Sequence, residues 1–232
     1  MTGLELTPGS WLVTVALGTV LGLDAISWPQ TMASRPLVSG TLGGLLFGDA
    51  TSGFLVGAWL EVLNSRHPPF GAARYPETGP AALIAGAAYA LSDTHSLPVL
   101  VAAALAGWVI GWIGMHSIAL VRAHNDRLLG DPKCLEGSLA ELARRHRRAI
   151  RFDALRAATI TGTLVVPVVL AIRLMEAVPP HPEGSAWVTV LAVVGLSGFA
   201  GVGARVLGGG REGWPAFVFG GVAALALVWI VG

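Results

Sequence analysis

Between Leu97 and Val121 the chain contains no Asp, Glu, Lys or Arg. About 20 apolar residues in helical conformation cross the hydrocarbon core of a bilayer. This stretch therefore predicts a membrane-spanning helix. It also constrains its neighbours, because in lipid the backbone polar groups must be satisfied inside helices or closed barrels. Ala157–Val178, Trp187–Leu207 and Trp214–Val231 read as further spans, and Trp11–Ile26 is an apolar run interrupted late by Asp24. Composition agrees: 53% of the residues are hydrophobic and 12% charged, against about 45–50% and roughly 25% in soluble domains. Gly 31 and Pro 14 are both high, which membrane helices tolerate. A single cysteine, Cys134, excludes an internal disulfide framework and a cysteine metal cluster. Met1–Ser10 is acidic and polar and lacks the basic start of a secretory signal.

Charge sets the orientation. Arg122, Arg127, Lys133, Arg144, Arg145, Arg147, Arg148, Arg151 and Arg156 are nine of the 15 Lys and Arg residues. Positive charge in short connections stays cytoplasmic. The Pro179–Gly184 connection is then outside, Arg205 and Arg211 are inside, and the C-terminus is outside. Glu141–Arg156 has a helical look, with Leu142, Ile150 and Leu155 among arginines. Such a stretch suits anionic lipid or a soluble protein partner. Phe152 is its one Phe, Tyr or Trp, short of the repeated aromatics of a nucleic-acid surface, and no nucleic-acid partner is expected.

The half before Leu97 is broken. It holds Asp24, Asp49, Glu61 and Glu77 with Arg35, Arg66, Arg74 and His67, and Pro68, Pro69, Pro76 and Pro80 punctuate its polar part. Charge at membrane depth costs about 2.5–3.5 kcal/mol per group even on the low estimate. Non-helical backbone survives there only inside protein or along a wet cavity. Broken helices around a polar site are how transporters bind solutes near the midplane. The expected fold is therefore all-α: a polytopic membrane protein with broken or re-entrant helices in its N-terminal part. Residues 1–121 would bear the site, 122–156 would form a basic cytoplasmic loop, and 157–232 would supply three further spans of the same membrane domain. Gly40, Gly44 and Gly48, then Gly53 and Gly57, recur every four residues and predict close helix contact, within the chain or to a membrane partner.

Arg35-Pro36-Leu37, then Gly40–Asp49 ending in Gly-Asp, then Gly57-Ala58-Trp59-Leu60-Glu61, then Gly71-Ala72-Ala73 with Pro76-Glu77, follow in order. Together they resemble the IIC subunit of the mannose family of phosphoenolpyruvate-dependent sugar phosphotransferase systems. The resemblance spans about Trp28–Ala88 and continues more weakly through Leu97–His124 and Gly195–Phe219. It implies a permease subunit for a hexose or amino-hexose in the bacterial inner membrane. It further implies a second membrane subunit, IID, and soluble IIB and IIA phosphocarriers that phosphorylate the sugar during uptake. The chain itself would carry no phosphoryl group and no cofactor, and the complex would be a homo-oligomer. Two other readings stand beside it: a relative that no longer phosphorylates and serves as a membrane regulator or scaffold, and a transporter of a different small solute. The Asn64–Phe70 segment is more polar than the family pattern.

For a sugar site the candidates are Glu61, Asn64, His67, Glu77, Gln30, Thr31 and Trp28. Glu61 and Asn64 share a helix face, and a carboxylate beside an amide suits sugar hydroxyls. The alternative for Glu61 is an ion pair with Arg35, Arg66 or Arg74. His67 and Glu77 flank the proline-rich stretch; Glu77 is a candidate base for a sugar hydroxyl, or a partner of Arg74. Gln30 and Thr31 follow the Trp28-Pro29 break, and Trp28 is placed to stack on a pyranose ring or to anchor at the lipid interface. Asp24 and Asp49 read as residues that cap breaks or end helices. No metal-ligand spacing is present among the histidines.

Overall fold

The computed structural model describes residues 5–27, 29–64, 75–129 and 139–177, together with Val222. Among the described residues the protein is all-helical, with six helices and no strand: α1 (Pro8–Ile26), α2 (Pro36–Leu46), α3 (Ala50–Asn64), α4 (Thr78–Ala90), α5 (Leu97–Leu129) and α6 (Leu139–Ala177). Three of them, α1, α5 and α6, are long and apolar enough to cross a membrane. They match the runs expected at Trp11, Leu97 and Ala157. The spans expected at Trp187–Leu207 and Trp214–Val231, and the Pro179–Gly184 connection, lie outside the described residues.

α1 starts at a capping box. The Thr7 hydroxyl accepts from the Ser10 amide, and the Ser10 hydroxyl accepts from the Thr7 amide, with Pro8 in the first turn where its missing N–H costs nothing. Gly18 and Gly22 let α1 lie against Thr161 and Ala157 of α6, and the Trp11 indole N–H donates to the Gly162 carbonyl at 3.1 Å.

α2 and α3 form a tight hairpin. Gly48, at φ 78°, makes the turn that a side chain would resist. Asp49 then caps α3: its carboxylate accepts from the Ser52 amide at 3.0 Å and the Ser52 hydroxyl at 2.5 Å. Gly40 and Gly44 of α2 lie backbone to backbone against Gly53 and Gly57 of α3, and Gly86 of α4 fits against Gly40. The glycine faces are thus filled within the chain, and they give no groove for a partner subunit. Gly48 belongs to the turn and not to the face.

α4 is the centre of the fold. Every residue from Gly79 to Tyr89 is buried, packed by α1, α2, α3, α5 and α6. A helix apolar all round is one enclosed on all sides. Its 13 residues span about 20 Å at 1.5 Å per residue, too short to cross a bilayer. α2 and α3 are also short, at 11 and 15 residues.

α5 and α6 exceed the bilayer. At 33 and 39 residues they run about 50 and 58 Å, against a hydrocarbon thickness of about 30 Å. The excess is the basic stretch. Arg122–Leu129 continues α5, and Leu139–Arg156 opens α6. Instead of a loop, the stretch is helical on both sides of residues 130–138, because Leu, Ala and Arg without Gly or Pro favour helix.

Candidate functional site

The breaks in the first half converge on one polar layer. α1 ends at Ile26, and residues 29–35 lead into α2 at Pro36. Asp24, on the last turn of α1 and 3% exposed, organises this turn. Its Oδ1 accepts from the Thr31 amide and hydroxyl at 2.6 and 2.7 Å, and its Oδ2 from the Ser34 amide at 2.9 Å. Gln30 and Met32 both adopt left-handed φ, 61° and 67°, which non-glycine residues seldom hold without such support. The Thr78 hydroxyl donates to the Ser34 carbonyl at 3.1 Å, fastening the turn to the start of α4.

Beside it lies a buried charge cluster. The Arg156 guanidinium of α6 donates from both terminal nitrogens to the two oxygens of Glu77, at 2.6 and 2.7 Å. Its Nε donates to Asp153 at 2.8 Å, and Nη1 also meets the Ser117 hydroxyl of α5 at 2.8 Å. The second Asp153 oxygen accepts from the Ser27 hydroxyl at 2.5 Å. Side-chain exposures are 1% for Glu77, 0% for Asp153 and 7% for Arg156. The Glu77 amide also donates to the Gly111 carbonyl of α5 at 2.9 Å, and Gly22 and Gly114 leave room for its side chain. Charges this deep persist only when paired and hydrogen-bonded on all sides. One side chain, Arg156, joins the entrance of α4 to α5 and α6, and Asp153 extends the link to the end of α1.

The third part is the junction of α2 and α3. Glu61 forms an ion pair with Arg35 and accepts from the Leu37 amide at 3.2 Å. It thus supplies from α3 the cap that Arg35, at the N-cap of α2, does not provide. Three residues on, Asn64 donates to the Leu60 carbonyl at 2.8 Å, while its Oδ1 is buried with no hydrogen-bond partner among the described residues. A separate cleft of about 240 Å³ is lined by Tyr75, Met115, Ile118, Arg122 and Asp126 among others.

Of the seven candidates, Glu61 and Asn64 do share a face at the end of α3, and Glu61 pairs with Arg35. Thr31 serves Asp24. Gln30 is exposed, its side-chain amide donating back to the Ile26 carbonyl at 3.3 Å. Glu77 pairs with Arg156. Trp28, His67, Arg66 and Arg74 lie outside the described residues. Arg156 and Asp153 are the residues that the sequence pattern conceals, because Arg156 sits in a run of surface arginines. A signal exists: Asp153 and Arg156 are one turn apart and directly precede the apolar run, so they fall inside the span's first turns. Among the described residues no group of His, Cys, Asp and Glu is placed to hold a metal ion.

Three long helices, three short ones and a buried polar layer where the short helices break define a polytopic membrane protein of the broken-helix transporter kind. The model of the EII-Sor family, the sorbose-specific IIC component of the phosphotransferase system, matches residues 10–178. The chain belongs to that family. Two solved structures are similar in fold. One, described as a membrane protein, superposes with a TM-score of 0.68 at 19% identity, covering 98% of this chain and 93% of that one. The other is the mannose transporter ManYZ in complex with microcin E492, with a TM-score of 0.54 at 22% identity, covering 98% and 94%. No curated protein sequence matches this chain closely enough to count as a relative.

Proposed function

We propose that the chain is the membrane permease subunit for uptake of a hexose or amino-hexose, phosphorylated on entry by a soluble IIB partner that is recharged by IIA. It works in a bacterial inner membrane beside a IID-type membrane subunit. The observation that carries this reading is the family match over residues 10–178, which contains all the broken helices and the whole polar layer.

Two helix N-termini, those of α2 and α4, start from breaks next to the polar end of α3. Half-helix termini of this kind present unpaired backbone groups to a solute. Glu61 and Asn64 stand at that place, and the open acceptor on Asn64 is a group that a sugar hydroxyl can satisfy. We assign Glu61 and Asn64 to the sugar, together with Gln30 and Thr31 of the turn and the flanking Trp28 and His67. Glu77 has both oxygens engaged by Arg156, so we assign it to holding α4 in place for the site.

The test is uptake by membrane vesicles that contain the chain and its IID-type partner. With phosphorylated IIB supplied at the cytoplasmic face, radiolabelled sugar should accumulate as sugar phosphate. Accumulation of unmodified sugar independent of IIB would favour a transporter of another kind. No uptake across a panel of hexoses and amino-hexoses would favour a scaffold.

A further inference from the structure

The exposed face of α6 changes character along its length. Leu155, Thr159, Thr163, Val166, Leu170 and Leu174 are all exposed and recur at steps of three and four, so they form one stripe along the helix. An exposed stripe of this kind on a spanning helix faces lipid. One turn further toward the N-terminus the same stripe continues as Arg151, Arg148 and Arg147, all exposed. Asp153 and Arg156, between these exposed positions in sequence, are buried.

α5 repeats the pattern. Its exposed Leu105, Val109, Ile113 and Leu120 lead along the same side to exposed Arg127. The acids nearby do not cancel this charge. Glu141 is committed to Arg144 and Arg145, and the Arg145 hydrogen bond, with Arg144 beside it, holds its carboxyl below the usual carboxylate range. Asp126 is the one other exposed acid on these described turns, and His146 is the exposed histidine beside the stripe.

We propose that Arg147, Arg148 and Arg151, with Arg127 of α5, form a binding surface for the phosphate groups of anionic lipids in the cytoplasmic leaflet. Geometry selects lipid over a soluble protein. Arg151 lies about 6 Å along the axis from Leu155, at the depth where hydrocarbon gives way to headgroups. Arg148 and Arg147 follow within about 12 Å. The potential of an anionic surface extends about 8 Å beyond it at physiological salt. Guanidinium groups match phosphate oxygens in pairs. A surface aligned with the lipid-facing stripe meets lipid first, whatever solute the permease carries.

The test uses the full chain with its membrane partner in bilayer discs of mixed phosphatidylglycerol and phosphatidylcholine. The ratio of the two lipids retained by the protein is read by native mass spectrometry after gentle detergent release. The wild type should retain phosphatidylglycerol roughly fivefold or more above the bulk ratio, the effect of about one well-placed arginine at an anionic surface. R147Q/R148Q/R151Q should return to the bulk ratio, and R147K/R148K/R151K should keep most of the enrichment. Should the glutamine variant fail to insert, the wild type decides: enrichment that falls with added NaCl supports the surface, and salt-independent enrichment or none overturns it. A glutamine variant that keeps the lipid enrichment also overturns it, and one that does so while losing capture of the soluble phosphocarrier identifies a protein dock instead.

Discussion

Glu77 and Arg156, on two segments 79 residues apart, meet as a two-pronged ion pair with both carboxylate oxygens engaged. The pair is nearly inaccessible to solvent, and its two parallel contacts are the arrangement that arginine favours with carboxylates. It sits where α4 begins, so the position of the central helix depends on a residue from α6.

Breaking this pair from either side should be costly. Glu77→Gln leaves Arg156 buried with Asp153 as its remaining counter-charge, and Arg156→Gln leaves two buried carboxylates facing each other. Each should lose about 3–5 kcal/mol of stability. The double variant should lose less than the sum, with a coupling of up to about 3 kcal/mol. Detergent-denaturation curves of the four proteins measure this, and simple additivity would show that the two side chains do not act as a pair.

The contact between α2 and α4 offers a second measurement. A methyl group at Gly43 would collide with the Leu83 carbonyl and the Ala87 amide, both backbone atoms that cannot swing away. Alanine gains up to about 1 kcal/mol over glycine in a helix, but overpacking of this kind costs about 1–3 kcal/mol. Gly43→Ala should therefore lower the thermal midpoint. Gly9→Ala is the control: its methyl group would meet only the Thr7 hydroxyl at 3.8 Å, so helix propensity alone acts and the midpoint should hold or rise.

The apolar parts of the three long helices were legible from the sequence because apolar length near that of a bilayer has one physical meaning in a chain this poor in charge. The hairpin was legible in part. Gly-Asp marked its turn, and glycines every four residues marked contact faces, but spacing cannot say which surface fills a face; here Gly53 and Gly57 fill the one made by Gly40 and Gly44. The charge cluster was not legible. Positive residues in a row suggest a solvated surface, and only the helix register separates Arg156, turned inward with Asp153, from Arg147, Arg148 and Arg151, turned outward. Glu61 was legible as a charged group closing an apolar run, yet its ion pair with Arg35 emerged only once the hairpin was built.

Topology follows from the same register. Leu139 is exposed at the far end of the basic helices, and Asp93 is exposed in the α4–α5 connection at the opposite end. With Cys134 replaced by serine, Asp93→Cys should react in intact cells with a thiol reagent that does not cross membranes. Leu139→Cys should react only after the membrane is opened. The reverse pattern would place the basic helices outside the cell.

Glu61 can be examined without the difficulty that the buried cluster raises. Its partner Arg35 is 60% exposed and Glu61 itself 24% exposed, so the pair is of the solvent-screened kind, contributing about 0–1 kcal/mol. Its second task, accepting from the Leu37 amide, is worth about as much as an ordinary helix cap, about 1 kcal/mol, and a glutamine oxygen can take it over. Glu61→Gln should therefore assemble in nearly normal yield. If the carboxylate also meets the sugar, binding should weaken by about 1–3 kcal/mol, the worth of a hydrogen bond to a charged group. Asn64→Leu tests the neighbouring acceptor in the same assay: it removes a buried oxygen that has no hydrogen-bond partner among the described residues, so it should leave stability nearly unchanged and, if the amide meets the sugar, lower affinity. Equilibrium sugar binding and complex yield, measured together for both variants, decide the matter. Full yield with unchanged affinity in both would take the end of α3 out of the sugar site and leave Glu61 as the cap of α2.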